Sequence, residues 1–153
     1  MFVILILLMF TTLFWTFFEQ AGSSITLFTN ENVNRSFFGL FDVPTPVFQS
    51  FNPTFIIILG PMFAKLWISL YKRGKEPSTP LKFALGIFQL GLGFLAMVFG
   101  ASFLTEENGI VVIPMLFVVL GYLLHTTGEL CVSPVGLSMV TKLAPKKIGA
   151  MVM

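Results

Sequence analysis

Residues 2–28 read FVILILLMFTTLFWTFFEQAGSSITLF, an apolar run broken only by Glu19 and Gln20. A helix crossing a bilayer needs about 20 mostly apolar residues, and this stretch has enough. The run has no basic flank before it and no small-residue cleavage site after it, so it is expected to be a membrane helix and makes a poor signal peptide. The rest of the chain repeats the pattern. Spans are expected at about residues 2–28, 45–71, 81–104 and 110–143. Thr45 is expected to cap the second, with Pro46 at its first helical position. Pro134 is expected to bend the fourth. The fold class is therefore an all-α membrane protein with four transmembrane helices.

Composition agrees. Hydrophobic residues make up 56% of the chain and charged residues 10%, against roughly 25% charged in a soluble domain. Mean hydropathy is +0.91, and there are 19 Phe. So few polar groups cannot cover a soluble surface. Cys131 is the only cysteine, which excludes an internal disulfide and a multi-cysteine metal site.

The loops alternate in charge. Lys72, Arg73, Lys75 and Lys82 fall between the second and third spans, and Lys142, Lys146 and Lys147 follow the fourth. Glu31, Arg35 and Asp42, and then Glu106 and Glu107, lie on the opposite side. The excess of Lys and Arg places residues 72–82 and both ends of the chain in the cytoplasm, in a multi-pass inner-membrane protein. Lys65, two turns from that side, is expected to snorkel toward it. In the third span, Ala96 and Gly100 have the spacing of small residues that pack helices closely. No heptad, solenoid or low-complexity repeat is expected.

Two carboxylates sit where lipid makes charge expensive, at about 2.5–3.5 kcal/mol each near a helix centre. Glu19 belongs to a polar stripe with Thr12, Thr16, Ser23 and Thr26, and Glu129 to one with Tyr122, His125 and Ser133. Two such stripes imply a shared polar cavity serving a substrate or proton pathway. A packing-anchor role for each Glu is the competing reading. His125 is a candidate cavity-lining residue, as is Gln20. Asn52, just before Pro53, is expected from spacing alone to satisfy a carbonyl freed by a helix bend. An enzyme is not expected. His125 and Ser133 are eight residues apart on one face, about 12 Å by helical rise, too far for a nucleophile and its base. Nothing in the sequence suggests a nucleotide, nucleic-acid or cofactor site.

Three motifs narrow the class of transporter. Phe14-Trp-Thr-Phe-Phe-Glu-Gln-Ala-Gly-Ser-Ser24, Gln49-Ser-Phe-Asn-Pro-Thr-Phe-Ile56 and Gly128-Glu-Leu-Cys-Val-Ser-Pro-Val-Gly-Leu-Ser-Met-Val-Thr-Lys-Leu-Ala-Pro145 resemble, in order, the seventh, eighth and tenth helices of the proton-dependent oligopeptide transporters, a branch of the major facilitator superfamily. The resemblance implies a partial C-terminal transporter bundle over residues 1–153. It also implies proton-coupled symport of di- and tripeptides by alternating access, with protons as the coupling ion and no cofactor. The expected partners are peptide, protons, the bilayer and the N-terminal bundle of the same transporter. By the same resemblance Trp15 lines the peptide cavity and Glu19 couples protons. Asn52 bonds the peptide backbone, while Glu129 holds the peptide ammonium with Ser133 beside it. Two other readings stay open: a self-contained four-helix proton-coupled exporter working as a dimer, and a non-transporting membrane scaffold.

Overall fold

A computed structural model describes residues 2–37, 39–103, 105–107 and 110–143, with side chains described at 5–37, 39–103 and 112–133. Four helical stretches are long and apolar enough to cross a membrane: Leu5–Asn32, Thr45–Lys72, Thr79–Phe103 and Met115–Ser133. The protein is all-helical in its spans. Met1, Lys146, Lys147 and Gly149–Met153 lie outside the described residues, as do the side chains of Glu106, Glu107, Pro134 and Lys142.

Two spans are broken, which the periodicity did not anticipate. The first consists of α1 (Phe2–Phe18), a 3-10 turn (Glu19–Gly22) and α2 (Ser24–Asn32). Ser23 leaves helical geometry, with φ −124° and ψ −88°. Glycine followed by two serines is a weak helix former, because Gly costs backbone entropy and Ser bonds locally. The second span consists of α3 (Thr45–Gln49) and α4 (Phe51–Lys72). Pro53 has no N–H to offer the carbonyl four residues earlier, at Gln49, so the helical ladder is interrupted there. Pro46 does stand in the first turn of α3, but Thr45 makes no capping bond. Its hydroxyl instead donates to Asn30 Oδ1 at 3.0 Å and accepts from Arg35 Nη1 at 3.2 Å.

The third span is α5 (Thr79–Gly100), and the fourth is α6 (Met115–Leu143). Residues 110–114, expected to be helical, form a strand instead. The run Ile110-Val-Val-Ile-Pro114 is β-branched and ends in proline, a composition that suits a strand. This β5 (Ile110–Pro114) pairs antiparallel with β4 (Thr105–Glu107) and parallel with β1 (Val33–Asn34). A second ribbon joins β2 (Ser36–Phe37) to β3 (Phe41–Asp42). The β1–β5 pairing brings the 33–42 segment and the 105–114 segment to the same end of the bundle.

Glycines hold α5 against α6. An added Cβ at Gly86 would lie 2.9 Å from the Gly128 carbonyl oxygen, and one at Gly128 would lie 2.8 Å from the Gly86 carbonyl oxygen. At Gly93 it would meet the His125 ring, and at Gly100 the side chain of Phe117. Gly86, Gly93 and Gly100 are seven apart, and so are Gly121 and Gly128. A seven-residue period keeps one face turned to a partner along the whole contact. This spacing is confined to glycines at one helix contact and is not a coiled-coil heptad of large apolar residues. The contact involves five glycines, not only the Ala96/Gly100 pair.

Lys82 is not a loop cation. It lies in the first turn of α5, is 7% exposed and forms an ion pair with Glu76. Its ammonium also stands 4.6 Å from the centroid of the Trp67 ring. Lys65 is exposed on α4 in a hollow shared with Ser69, Lys72 and Arg73, consistent with a side chain reaching toward that helix end.

The glycine contact predicts that Gly86→Ala destabilises the protein by about 1–3 kcal/mol, the usual range for overpacking. Gly91→Ala, with nothing within 4 Å of its added Cβ, should be near neutral. Equilibrium unfolding in detergent compares the two, and equal losses would place the tight contact elsewhere.

Candidate functional site: a cavity between two broken spans and a third helix

The breaks converge on one cavity of about 170 Å³. Phe18, Ala21 and Gly22 of the first span form one wall, and Gln49 and Asn52 form the second. Tyr122 and His125 of α6 close the third. Backbone groups freed inside a membrane need internal partners, and the Ala21 carbonyl has two. It accepts from Thr26 Oγ1 at 2.7 Å and from the Tyr122 hydroxyl at 3.2 Å. Gln49 Nε2 extends the network by donating to Thr26 Oγ1 at 3.0 Å. The break in the first span, the end of α3 and the middle of α6 are thereby tied together.

Asn52 makes the second tie. Its Nδ2 donates to Thr126 Oγ1 at 3.2 Å and to Glu129 Oε2 at 3.1 Å. The expectation from spacing, that this amide mends its own helix, is corrected: it reaches across to α6. Placement at the start of α4 explains the reach, because Asn52 lies in a first turn where the side chain has no helical turn before it to cover. Thr126 is fully buried and donates on to the Tyr122 carbonyl at 2.8 Å. An amide that donates to a carboxylate fixes the carboxylate's orientation.

The other candidate residues are distributed unevenly. Tyr122 and His125 are buried at the cavity, whereas Glu129 is half-buried one helical turn further on. Ser133, on the same stripe, is exposed. Glu19 opens the 3-10 turn and is exposed, with no hydrogen bond or ion pair among the described residues. Gln20 is spent within its own span: Nε2 donates to the Thr16 carbonyl at 3.3 Å, and Oε1 accepts from Ser24 Oγ at 2.6 Å. Trp15 packs edge-on against Phe14 and Phe18, at 5.6 and 5.3 Å between centroids. It stands outside the cavity wall, and Phe18 takes that place.

The stripe expected along the first span does not survive as one face. The 3-10 turn changes the angular step, and Thr12 and Thr16 each bond the carbonyl four residues earlier, at 2.9 and 2.8 Å. Sequence reasoning missed Phe18, Gln49 and Thr126. Gln49 lies three residues before Asn52 on the same helical face, a signal that was available. Thr126 had no signal beyond its position three residues before Glu129.

Comparison with known proteins agrees with this geometry. The sequence profile of PTR2, the POT family, matches residues 1–153. The chain is 43% identical over 141 residues to the uncharacterized transporter YclF of Bacillus subtilis, covering 92% of this chain and 27% of the relative. It is 42% identical over 148 residues to the peptide transporter YePEPT of Yersinia enterocolitica, covering 97% of this chain and 29% of the relative. Identity to dipeptide and tripeptide permease B of Shigella dysenteriae is 32% over 148 residues, covering 97% and 30%. The crystal structure of peptide transporter POT in complex with sulfate superposes with TM-score 0.84 at 36% identity, over 96% of this chain and 28% of that one. A POT family transporter in complex with 5-aminolevulinic acid superposes with TM-score 0.82 at 30% identity, over 96% and 30%. The chain thus spans less than a third of the length of these relatives. Its four helices match part of a POT transporter, a family of membrane transporters and not of enzymes. The chain belongs to the POT family.

Proposed function

We propose that the chain forms helices seven to ten of a proton-coupled symporter of di- and tripeptides, within the C-terminal bundle of an inner-membrane transporter working by alternating access. The observation that carries this reading is the Asn52–Glu129 hydrogen bond beside a polar cavity. It presents an oriented carboxylate and a neighbouring amide where a peptide has an ammonium and a peptide bond. Taking an ammonium out of water demands a close opposite charge, and Glu129 supplies it. Relatives include proteins named as dipeptide and tripeptide permeases of bacteria, which supports the substrate class and the membrane. Ser133, one turn beyond Glu129, completes the ammonium site when the other bundle is present, and Trp15 borders the peptide from the first span. Glu19, exposed at the start of a break, faces the other bundle and exchanges the proton.

In the complete transporter, Glu129→Gln keeps the shape but removes the charge. Breaking a buried charge pair typically costs about 3–5 kcal/mol, or two to four decades in affinity. Peptides with a free amino end should lose that much, and N-acetylated peptides little. Competition assays with both kinds measure the difference, and equal losses would make Glu129 a packing anchor.

Glu19→Gln should abolish proton-driven accumulation while sparing peptide counterflow, which needs binding but no net proton movement. Accumulation against a gradient by this variant would remove Glu19 from coupling.

Sidedness follows from the Lys and Arg excess around residues 72–75, and the shared end of the 33–42 and 105–114 segments supports it. Cysteines placed at the exposed Asp42 and Lys75, in a background with Cys131 replaced, should react with an impermeant reagent from outside only at position 42. Labelling at 75 alone would reverse the orientation.

A further inference from the structure

Helix α4 ends in a cluster of cations that no acid among the described residues neutralises. Lys65, Ile68, Ser69, Lys72 and Arg73 line an open hollow of about 370 Å³. The first four stand at positions i, i+3, i+4 and i+7 and so share one face of the helix, and Arg73 follows at its end. None of the three cations forms an ion pair or a side-chain hydrogen bond among the described residues. Glu76, the acid of the adjoining turn, is already engaged by Lys82. The Ser69 hydroxyl is unspent as well. Thr54 of the same helix donates to the carbonyl four residues earlier, whereas Ser69 makes no such bond.

Cations at the end of a helix complement its dipole, which accounts for Lys72 and Arg73 but not for Lys65. Seven residues separate Lys65 from Lys72, about 10 Å of rise. Lys65 thus leaves the backbone inside the span, at a depth where an unpaired charge is costly. Its stem carries the ammonium back toward the helix end, and that route leads into the hollow.

In the other direction the same face turns apolar. Met62 and Ile58, three and seven residues before Lys65, are 61% and 57% exposed. A group seated here meets cations and a hydroxyl at one end and about 10 Å of apolar helix at the other. A free phosphate uses only the first, and a phospholipid uses both. With three cations and no acid in the hollow, a headgroup of net negative charge fits, and one that carries its own ammonium does not.

We propose that this face of α4 binds one anionic phospholipid of the cytoplasmic leaflet. Its phosphate sits among Lys65, Ser69, Lys72 and Arg73, and an acyl chain runs along Met62 and Ile58. The ammonium and guanidinium groups donate charge-assisted hydrogen bonds to the phosphate oxygens, and Ser69 adds a neutral one. The leaflet follows from the Lys and Arg excess of residues 72–82. Peptide recognition takes no part, so the lipid site stands or falls separately from the transport reading.

Native mass spectrometry of the complete, delipidated transporter counts the lipids held during titration with dioleoylphosphatidylglycerol or dioleoylphosphatidylcholine. The transporter should retain phosphatidylglycerol in preference to phosphatidylcholine. Lys65→Gln and Lys72→Gln should each weaken phosphatidylglycerol binding about fivefold, the contribution of one cation at a membrane surface, and leave phosphatidylcholine unchanged. Lys75→Gln removes another exposed cation of the same turn, one outside the hollow, and should change little. Equal losses from Lys75→Gln and Lys65→Gln overturn the site, because the attraction is then diffuse. Absence of any preference in the unsubstituted transporter also overturns it and marks the hollow as covered by the other bundle. Inorganic phosphate in large excess should not displace the lipid, and displacement would make the hollow a free-anion site instead.

Discussion

Every backbone N–H and C=O that leaves a helix inside a bilayer must find a partner within the protein, because lipid offers none. This constraint decides where the polar side chains of the chain go. The first span breaks at Glu19–Gly22, and the Ala21 carbonyl left by the break is taken up by Thr26 and Tyr122. The second span breaks at Ser50, and the residues around that break, Gln49 and Asn52, reach the first span and α6 respectively. The first interruption thus recruits a hydroxyl from α6, and the amides at the second reach out to the other two spans. The cavity is the space left where the interruptions meet. The atoms that line the cavity are the same ones that tie the spans together, so a substitution in the cavity wall also disturbs the architecture.

The scaffold behind the cavity is the α5–α6 pair. Its glycines allow carbonyls and side chains of facing helices to approach to distances that any Cβ would prevent. Dispersion and lost lipid contact then replace the hydrophobic effect as the source of association. The apolar side chains that in a soluble protein would fill such a contact are instead turned outward. Leu85, Phe88, Leu95 and Val98 of α5 are all exposed. That inverted pattern follows from the solvent being hydrocarbon.

Four spans were legible because a bilayer imposes a length, and apolar runs of that length are rare otherwise. The polar stripe of α6 was also legible, since α6 is helical throughout Tyr122–Ser133 and helical spacing holds. The stripe of the first span was not, because four residues of 3-10 geometry are enough to turn everything after them. The strand at Ile110–Pro114 was hidden for a related reason: hydropathy cannot separate a β-branched run from helix. The reach of Asn52 to α6 was not legible, because spacing shows neighbours along the chain and never those across it. His125 stands against the Gly93 position, 32 residues earlier, and no periodicity connects the two. The seven-residue glycine spacing stands in the sequence, but nothing there shows that α5 and α6 face each other across it.

Helix α4 is held in an unusual way. None of its residues is buried, and its attachments concentrate at two places: Asn52 near one end, and Trp67 under the Lys82 ammonium near the other. From Asn52 to Lys72 the rise is about 30 Å, so a swing of about 10° about the Asn52 end carries the far end about 5 Å. A cation over an aromatic face is worth about 0.5–2 kcal/mol depending on its solvation. Releasing it shifts an equilibrium by only about two- to thirtyfold. The helix is a beam pinned beside the cavity and latched lightly near its tip, and the energy of unlatching is comparable to that of a single hydrogen bond.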